Sequence, residues 1–276
     1  MTAMTVSLLL LSSCAEPGQD NAVGLQLWSV RDAMGKDPEA TIKQIGEMGY
    51  DYVESAGYNN GLIYGMEPET FKNLVEENGM RYLGAHVGRQ IREDQDWQEL
   101  MPWWDTCIAA HQSAGVEYIV QPSMGHTAFE SLKGLAEYCA YFNAIGAKCQ
   151  EAGIRFGFHN HAGEFGELEG EVMYDFMMQN TDADKVMFQL DVYWIKEGGK
   201  DFREYLEKYP DRYGSIHIKD EKELGESGEM DFGQILDLAQ KKGVDYYVVE
   251  VEKYNYSPLE SVDKSLNHLR EIGFTR

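Results

Sequence analysis

Basic residues are scarce. The chain of 276 residues has 24 Lys and Arg against 47 Asp and Glu, a formal charge of −23. A nucleic-acid binder tracks phosphates with a basic face, so this balance excludes that class of partner. There is no GxxxxGK[ST] loop and no cluster of basic residues to grip a phosphate, which directs attention to neutral substrates. Cysteine is equally sparse: Cys14, Cys107, Cys139 and Cys149 are the only four. None forms a CxxC pair, and the last three fall inside helical patterns, so a disulfide framework or zinc ribbon is excluded and small core residues are expected. No long apolar run is present either: 5–14 (TVSLLLLSSC) is too short to span a bilayer. Apolar content of 43% with 12% aromatics is ample for a folded core.

What is present is an uninterrupted alternation of strand and helix. Strand-like runs at 23–30, 50–55, 80–87, 116–123, 154–161, 185–192, 213–220 and 244–252 each precede a helical pattern. The helices are expected at Pro38–Met48, Pro68–Asn78, Asp96–Ala114, Ala128–Ala152, Val172–Gln179, Asp201–Tyr209, Phe232–Lys242 and Pro258–Ile272. Pro38 and Pro68 stand at first helical turns next to acidic residues, and Gly49, Gly79, Gly115, Gly153 and Gly243 follow helix ends. Eight such units with no GxGxxG after the first strand predict an α/β fold, a single (β/α)8 TIM barrel over 22–276. The longest stretches without periodicity, 56–67, 88–95, 162–170, 193–200 and 221–230, all follow strands and so belong to the catalytic face.

In such a barrel the C-terminal ends of all strands open on one face. Four of the later runs become polar only there: FGFHNHAGEF (156–165), FQLDVYW (188–194), SIHIKD (215–220) and VVEVEKY (248–254). Glu164, Asp191, His217 and Glu250 are therefore expected to surround one point, as three carboxylates and an imidazole that suit a divalent metal. Asp191 taken alone reads equally as a helix cap, and His217 alone as a bonded core group. His159 and His161 share a strand face and are expected to include a proton-transfer group. Lys219 shares a face with His217. His86, Glu54 and Gln121 end strands 3, 2 and 4 as candidate hydroxyl contacts, and Trp28, Tyr193 and Trp194 as rings to stack on a sugar.

The segments LQLWSVRDAM (25–34), KDPEATIKQIGEMGYDYVE (36–54), HNHAGEF, QLDVYW, HIKD and VVEVE occur in an order that resembles the xylose isomerase-like barrel superfamily, in its sugar phosphate isomerase/epimerase group. The resemblance runs from Val23 to Ile272. It implies one divalent ion (Mn, Mg, Co or Zn) held at Glu164, Asp191, His217 and Glu250. Glu164 and Glu250 are the implied acid–base pair, and with His159 and His161, read from this sequence, they make the expected catalytic set. Trp28, Glu54, His86, Gln121 and Lys219 are left to contact the substrate. The implied activity is isomerisation or epimerisation of a neutral (keto-)sugar by proton abstraction, with a 3-keto-glycoside lyase or hydratase as the alternative on the same site. In the epimerase branch the strand 5 and strand 8 glutamates are the acid–base pair; here strand 5 ends in His-Asn-His and Glu164 comes later, in the loop. A sugar-binding lipoprotein without catalysis is a third, separate class of reading. The expected partner is a small carbohydrate, and the loops after strands 2 and 7 offer lids or subunit contacts for an oligomer.

The N-terminal run ends in Leu11-Ser12-Ser13-Cys14, which resembles a bacterial lipoprotein signal with Cys14 as the lipidated residue. Residues 1–21 are accordingly expected to be signal and tether. The location expected is the cell envelope, facing the periplasm, with contact to membrane only through that lipid.

Overall fold

The computed structural model describes residues 21–276. Cys14, and with it the expected lipidation, lies outside the described residues. Eight parallel strands close into a barrel: β1 (Gly24–Gln26), β2 (Tyr52–Ser55), β3 (Arg81–His86), β4 (Tyr118–Gln121), β5 (Arg155–His159), β6 (Val186–Asp191), β7 (Tyr213–Lys219) and β8 (Tyr246–Glu250). Each pairs with its sequence neighbours, and β1 closes on β8 through Gly24–Val248 and Leu25–Val249. The outer helices are α1 (Pro38–Met48), α2 (Pro68–Glu77), α3 (Met101–Ala114), α4 (Leu132–Glu151), α5 (Met173–Asn180), α6 (Phe202–Lys208), α7 (Phe232–Lys241) and α8 (Pro258–Glu271). Among the described residues no helix is long and apolar enough to cross a membrane.

The expected single barrel is the fold found, and its punctuation is the one the chain spells out. Asp37 caps α1 by accepting from Ala40 N at 3.0 Å, and Gly49 ends it at φ 96°, a left-handed conformation costly for residues with a Cβ. Several local details differ from the periodicity, among them a start at Met101 for α3 and a helix over Val192–Glu197. β1 stops at Gln26, because the Gln26 side chain accepts from Trp28 N at 3.0 Å and turns 27–30 into a 3-10 helix. α4 starts at Leu132, where Ser131 caps it at Gly134 N. The loops after β2 and β5 carry small hairpins, Tyr58–Asn59 with Leu62–Ile63 and Glu167–Leu168 with Glu171–Val172.

The barrel interior is graded along its axis. At its lower end Tyr52, Tyr118, Met187 and Val248, one from each even strand, pack together as a layer. Odd strands make room for these rings with glycine: a Cβ on Gly24 would lie 2.1 Å from the Tyr52 ring, and one on Gly84 2.2 Å from the Tyr118 ring. Two residues further along β2, β6 and β8 the inward side chains are the polar Glu54, Gln189 and Glu250, joined by His217 of β7, all buried, while β4 keeps Val120. The apolar base thus supports a buried polar layer beneath the loops, and burial strengthens every charge interaction there.

Candidate metal and substrate site

His159, Asp191, His217 and Glu250, at the ends of β5, β6, β7 and β8, each offer one ligand atom, and these four atoms lie within 4.8 Å of one another. All four residues are buried. Their backbones are tied together at the β5–β6 junction, where the Asn160 side chain accepts from Asp191 N at 3.0 Å and donates to Asp191 O at 3.4 Å. Asp191 meets both of its expected roles in geometry. Oδ1 caps the helix Val192–Glu197 by accepting from Tyr193 N and Trp194 N at 2.9 and 2.8 Å. Oδ2 is buried with no hydrogen-bond partner, as is Nδ1 of His159. Two orphaned ligand-type atoms in one buried cluster leave a desolvation cost that a cation would relieve, so the donor set fits a divalent ion.

Below this cluster lies a carboxylate that faces no solvent. Glu54 Oε1 accepts from Gln26 Nε2 at 2.5 Å and lies 2.8 Å from His217 Nε2 and 3.0 Å from His86 Nε2; Oε2 accepts from Gln189 Nε2 at 2.8 Å. Burial alone would raise its pKa, but the His86 and His217 rings hold it down at about 2. With Nε2 of His217 committed to Glu54, Nδ1 is the atom turned to Glu250, at 3.4 Å. This is the arrangement in which a carboxylate behind an imidazole fixes the ligating nitrogen. Burial depresses His217, yet Glu54 and Glu250 carry it up to about 10. His159 has no such partner, and burial followed by the His217 and His161 rings drives it well below the ordinary range.

Lys219 is buried between two acids, 3.1 Å from Glu250 and 2.7 Å from Glu252. Burial would raise Glu250, but Lys219 and then His217 hold its carboxyl well below the usual range. For Asp191 burial wins and raises the carboxyl, despite the attraction of Lys219.

A cavity of about 320 Å³ opens above the cluster, lined by Trp28, Ala56, His86, Pro122, Ser123, His159, His161, Glu250 and Glu252. A larger cleft of about 430 Å³ lies outside the barrel between 192–203 and 229–235, but its charged groups are exposed ion pairs such as Lys196–Glu229 and Arg203–Asp201. The barrel-mouth cavity is the one that meets the buried cluster, through His159 and Glu250.

Of the residues expected at the site, Asp191, His217 and Glu250 come together and Glu164 does not. β5 ends at His159, and the chain then turns back through 163–165, so that Glu164 Oε2 accepts from its own loop at His161 N, 2.9 Å. His159 supplies the fourth atom of the cluster instead. His161 lines the cavity outside the cluster, its ring 5.0 Å from that of His159 and 5.6 Å from that of Trp194. Glu54 sits buried beneath the imidazoles and is not part of the cavity lining. Lys219 is committed to its two acids. Gln121 braces two loops, donating to Ser123 O at 2.9 Å and Arg89 O at 3.3 Å. His86 and Trp28 do line the cavity. Gln26, Gln189 and Ser215, which complete the buried network, escaped the sequence reading. Their signal was a polar residue two before a site residue, as in Gln189-x-Asp191 and Ser215-x-His217.

The family model of the xylose isomerase-like TIM barrel matches residues 42–272, and the chain belongs to that family. The solved structure of a sugar phosphate isomerase/epimerase from Parabacteroides distasonis is similar, with 29% identity and a TM-score of 0.86 over 97% of this chain and 98% of that one. An inosose dehydratase of Lacticaseibacillus casei is 21% identical, covering 84% of this chain and 91% of the relative. A 3-keto-D-glucoside 4-epimerase from E. coli shares the fold at 19% identity, with a TM-score of 0.72 over 91% of this chain and 99% of that one.

Proposed function

We propose that this protein removes the proton next to the carbonyl of a neutral keto-sugar or keto-polyol in a metal-dependent isomerisation or epimerisation. The observation that carries the reading is the buried set of His159, Asp191, His217 and Glu250 at the floor of a cavity, with Asp191 Oδ2 and His159 Nδ1 left unpartnered. Two imidazoles and two carboxylates suit Mn, Co or Zn better than Mg, which favours oxygen and water. Bound there, a divalent ion supplies Lewis-acid stabilisation of the charge that develops on the substrate oxygen as the proton leaves.

The chain supplies the rest. His161 is outside the ligand set and beside the cavity, and burial lowers its pKa, so at neutral pH it is uncharged and able to take the proton. His86 donates Nε2–H toward Gln189 Oε1 at 2.5 Å and Glu54 Oε1 at 3.0 Å, which leaves Nδ1 as an acceptor at the cavity wall. The cavity lining contains two carboxylates and no Lys or Arg, which supports a substrate without phosphate.

A second reading, elimination of water or of an aglycone from the carbon beyond, is favoured by Glu164. Epimerisation needs a second proton-moving group on the opposite face of the carbon, and the carboxylate expected there is bound to its own loop. The inosose dehydratase likeness supports the same reading. Tethering at Cys14 belongs to this proposal on the Leu-Ser-Ser-Cys sequence, and incorporation of labelled palmitate tests it.

NMR of keto-sugars and keto-polyols in D₂O with metal-loaded protein tests the chemistry. Deuterium at one carbon of a retained or epimerised sugar supports the first reading, and an unsaturated product supports the second. His161→Asn is expected to abolish exchange with metal retained, whereas His159→Ala loses the metal. Exchange that persists unchanged in His161→Asn would remove His161 from the reaction.

A further inference from the structure

We propose that the substrate carries a second, uncharged ring joined to the one that reacts, and that this ring stacks on Trp28; the inference rests on the reading of the cavity as a sugar site. The cavity lining is of two kinds. His86, His159 and Glu250 bring polar groups, while Trp28, Ala56 and Pro122 offer apolar surface. Trp28 lines the cavity and is 45% exposed, whereas a tryptophan that serves only packing is highly buried.

The exposed ring is also braced. The Arg31 guanidinium lies 5.0 Å over it and donates to Trp28 O at 3.1 Å. Arg31 in turn donates to Tyr254 Oη at 2.8 Å, and Tyr254 donates to Ser29 O at 3.0 Å. The chain from the loop after β8 thus fixes a residue of the turn after β1, which lowers the entropy cost of stacking. A volume of about 320 Å³ is at the low end for drug-sized ligands and exceeds the need of one small ring. The second ring is uncharged because the lining has no Lys or Arg, and Arg31 is occupied by Trp28 and Tyr254. The substrate class is therefore a glycoside with a sugar or aryl aglycone, in preference to a free monosaccharide.

The test is calorimetric binding of methyl and phenyl glycosides of glucose and galactose, both anomers, as such and as their 3-keto forms, to the full protein. The expected result is that one phenyl glycoside binds at least about tenfold more tightly than its methyl counterpart. That ratio is expected to fall to near one in Trp28→Ala and to be restored in Trp28→Phe. Equal affinities in the wild-type protein, equal loss of both ligands in Trp28→Ala, or no binding by any phenyl glycoside would overturn the proposal. Deuterium exchange keeps the two readings apart. Phenyl preference without exchange leaves the stacking site and removes the chemistry, and exchange without phenyl preference does the reverse.

Discussion

Replacing Glu54 by Gln removes one negative charge from beneath the cluster with almost no change in shape. Four side chains point nitrogen at this carboxylate: Gln26, Gln189, His86 and His217. A Gln side chain can accept with only one end, so at least one of these donors then meets another donor. The charge itself is large in effect. Its pKa is held at about 2 against an ordinary 4.5, which corresponds to about 3 kcal/mol in favour of the ionised form. Breaking one partner out of a buried ion pair costs about 3–5 kcal/mol in general, so a loss of about 3 kcal/mol is expected for Glu54→Gln at neutral pH. Because the folded-state value is depressed, the wild-type advantage is full above the unfolded value of 4.5 and fades as pH falls through about 2. Urea unfolding of both proteins at several pH values reads this directly. The same variant frees His217 Nε2 from its partner, and loss of such a support typically weakens metal binding by about 10–100-fold. A stability change under about 1 kcal/mol, together with unaltered metal affinity, would refute the account of Glu54 as the anchor of the imidazoles.

Other expectations follow from single atoms. Asp191→Asn keeps an oxygen to cap Tyr193 N and Trp194 N but removes the anionic Oδ2, so metal binding is expected to fall at least about 100-fold while stability moves by less than about 1 kcal/mol; Asp191→Ala is expected to lose about 1–2 kcal/mol in addition, measured by thermal and urea unfolding. Glu164→Gln retains an acceptor for His161 N, and metal titration is expected to give the wild-type stoichiometry and affinity; loss of the metal in this variant would return Glu164 to the ligand set. Lys219→Met leaves Glu250 and Glu252 without their shared cation, and a loss of about 3–5 kcal/mol at neutral pH is expected in the metal-free protein. Since Lys219 is what holds Glu250 low, that deficit is expected to shrink as acid protonates the carboxyls.

The barrel was legible because each of its signals is local. Helix starts at Pro38 and Pro68 and stops at Gly49 and Gly115 depend on conformational limits of single residues, and the helices found end within a few residues of those limits. Strand ends on β6, β7 and β8 were legible for the same reason, since Asp191, His217 and Glu250 lie on the strands and the two-residue period decides their direction. Glu164 failed this logic by lying five residues beyond His159, in a turn whose path no periodicity describes. Depth was the other quantity the sequence could not supply. Glu54 and His86 lie at or next to strand ends, yet one is fully buried and the other reaches the cavity, and this depends on barrel stagger rather than on residue type.

The charges of the site lead to one last prediction. Glu54, Asp191, Glu250 and Glu252 share the site with one lysine, Lys219, so four acids minus one base leave three negative charges if every histidine is neutral. Without a metal the protein meets this excess by holding protons: His217 is carried up to about 10, and burial raises Asp191. A ligating imidazole must give up its proton at the metal-facing nitrogen, so a divalent ion displaces what the empty cluster retains. Metal binding at neutral pH is therefore expected to release at least about one proton per ion and to tighten as pH rises from about 6 to 8. Calorimetry in buffers of different ionisation enthalpy measures the count. The sign for the metal-free fold is the opposite one. The raised His217 stabilises it fully below the unfolded value of 6.5, and that contribution is lost as pH rises through about 10. Rising pH thus weakens the empty cluster and strengthens the loaded one. An affinity that stays flat across neutral pH, with no proton released, would mean that the ion binds elsewhere.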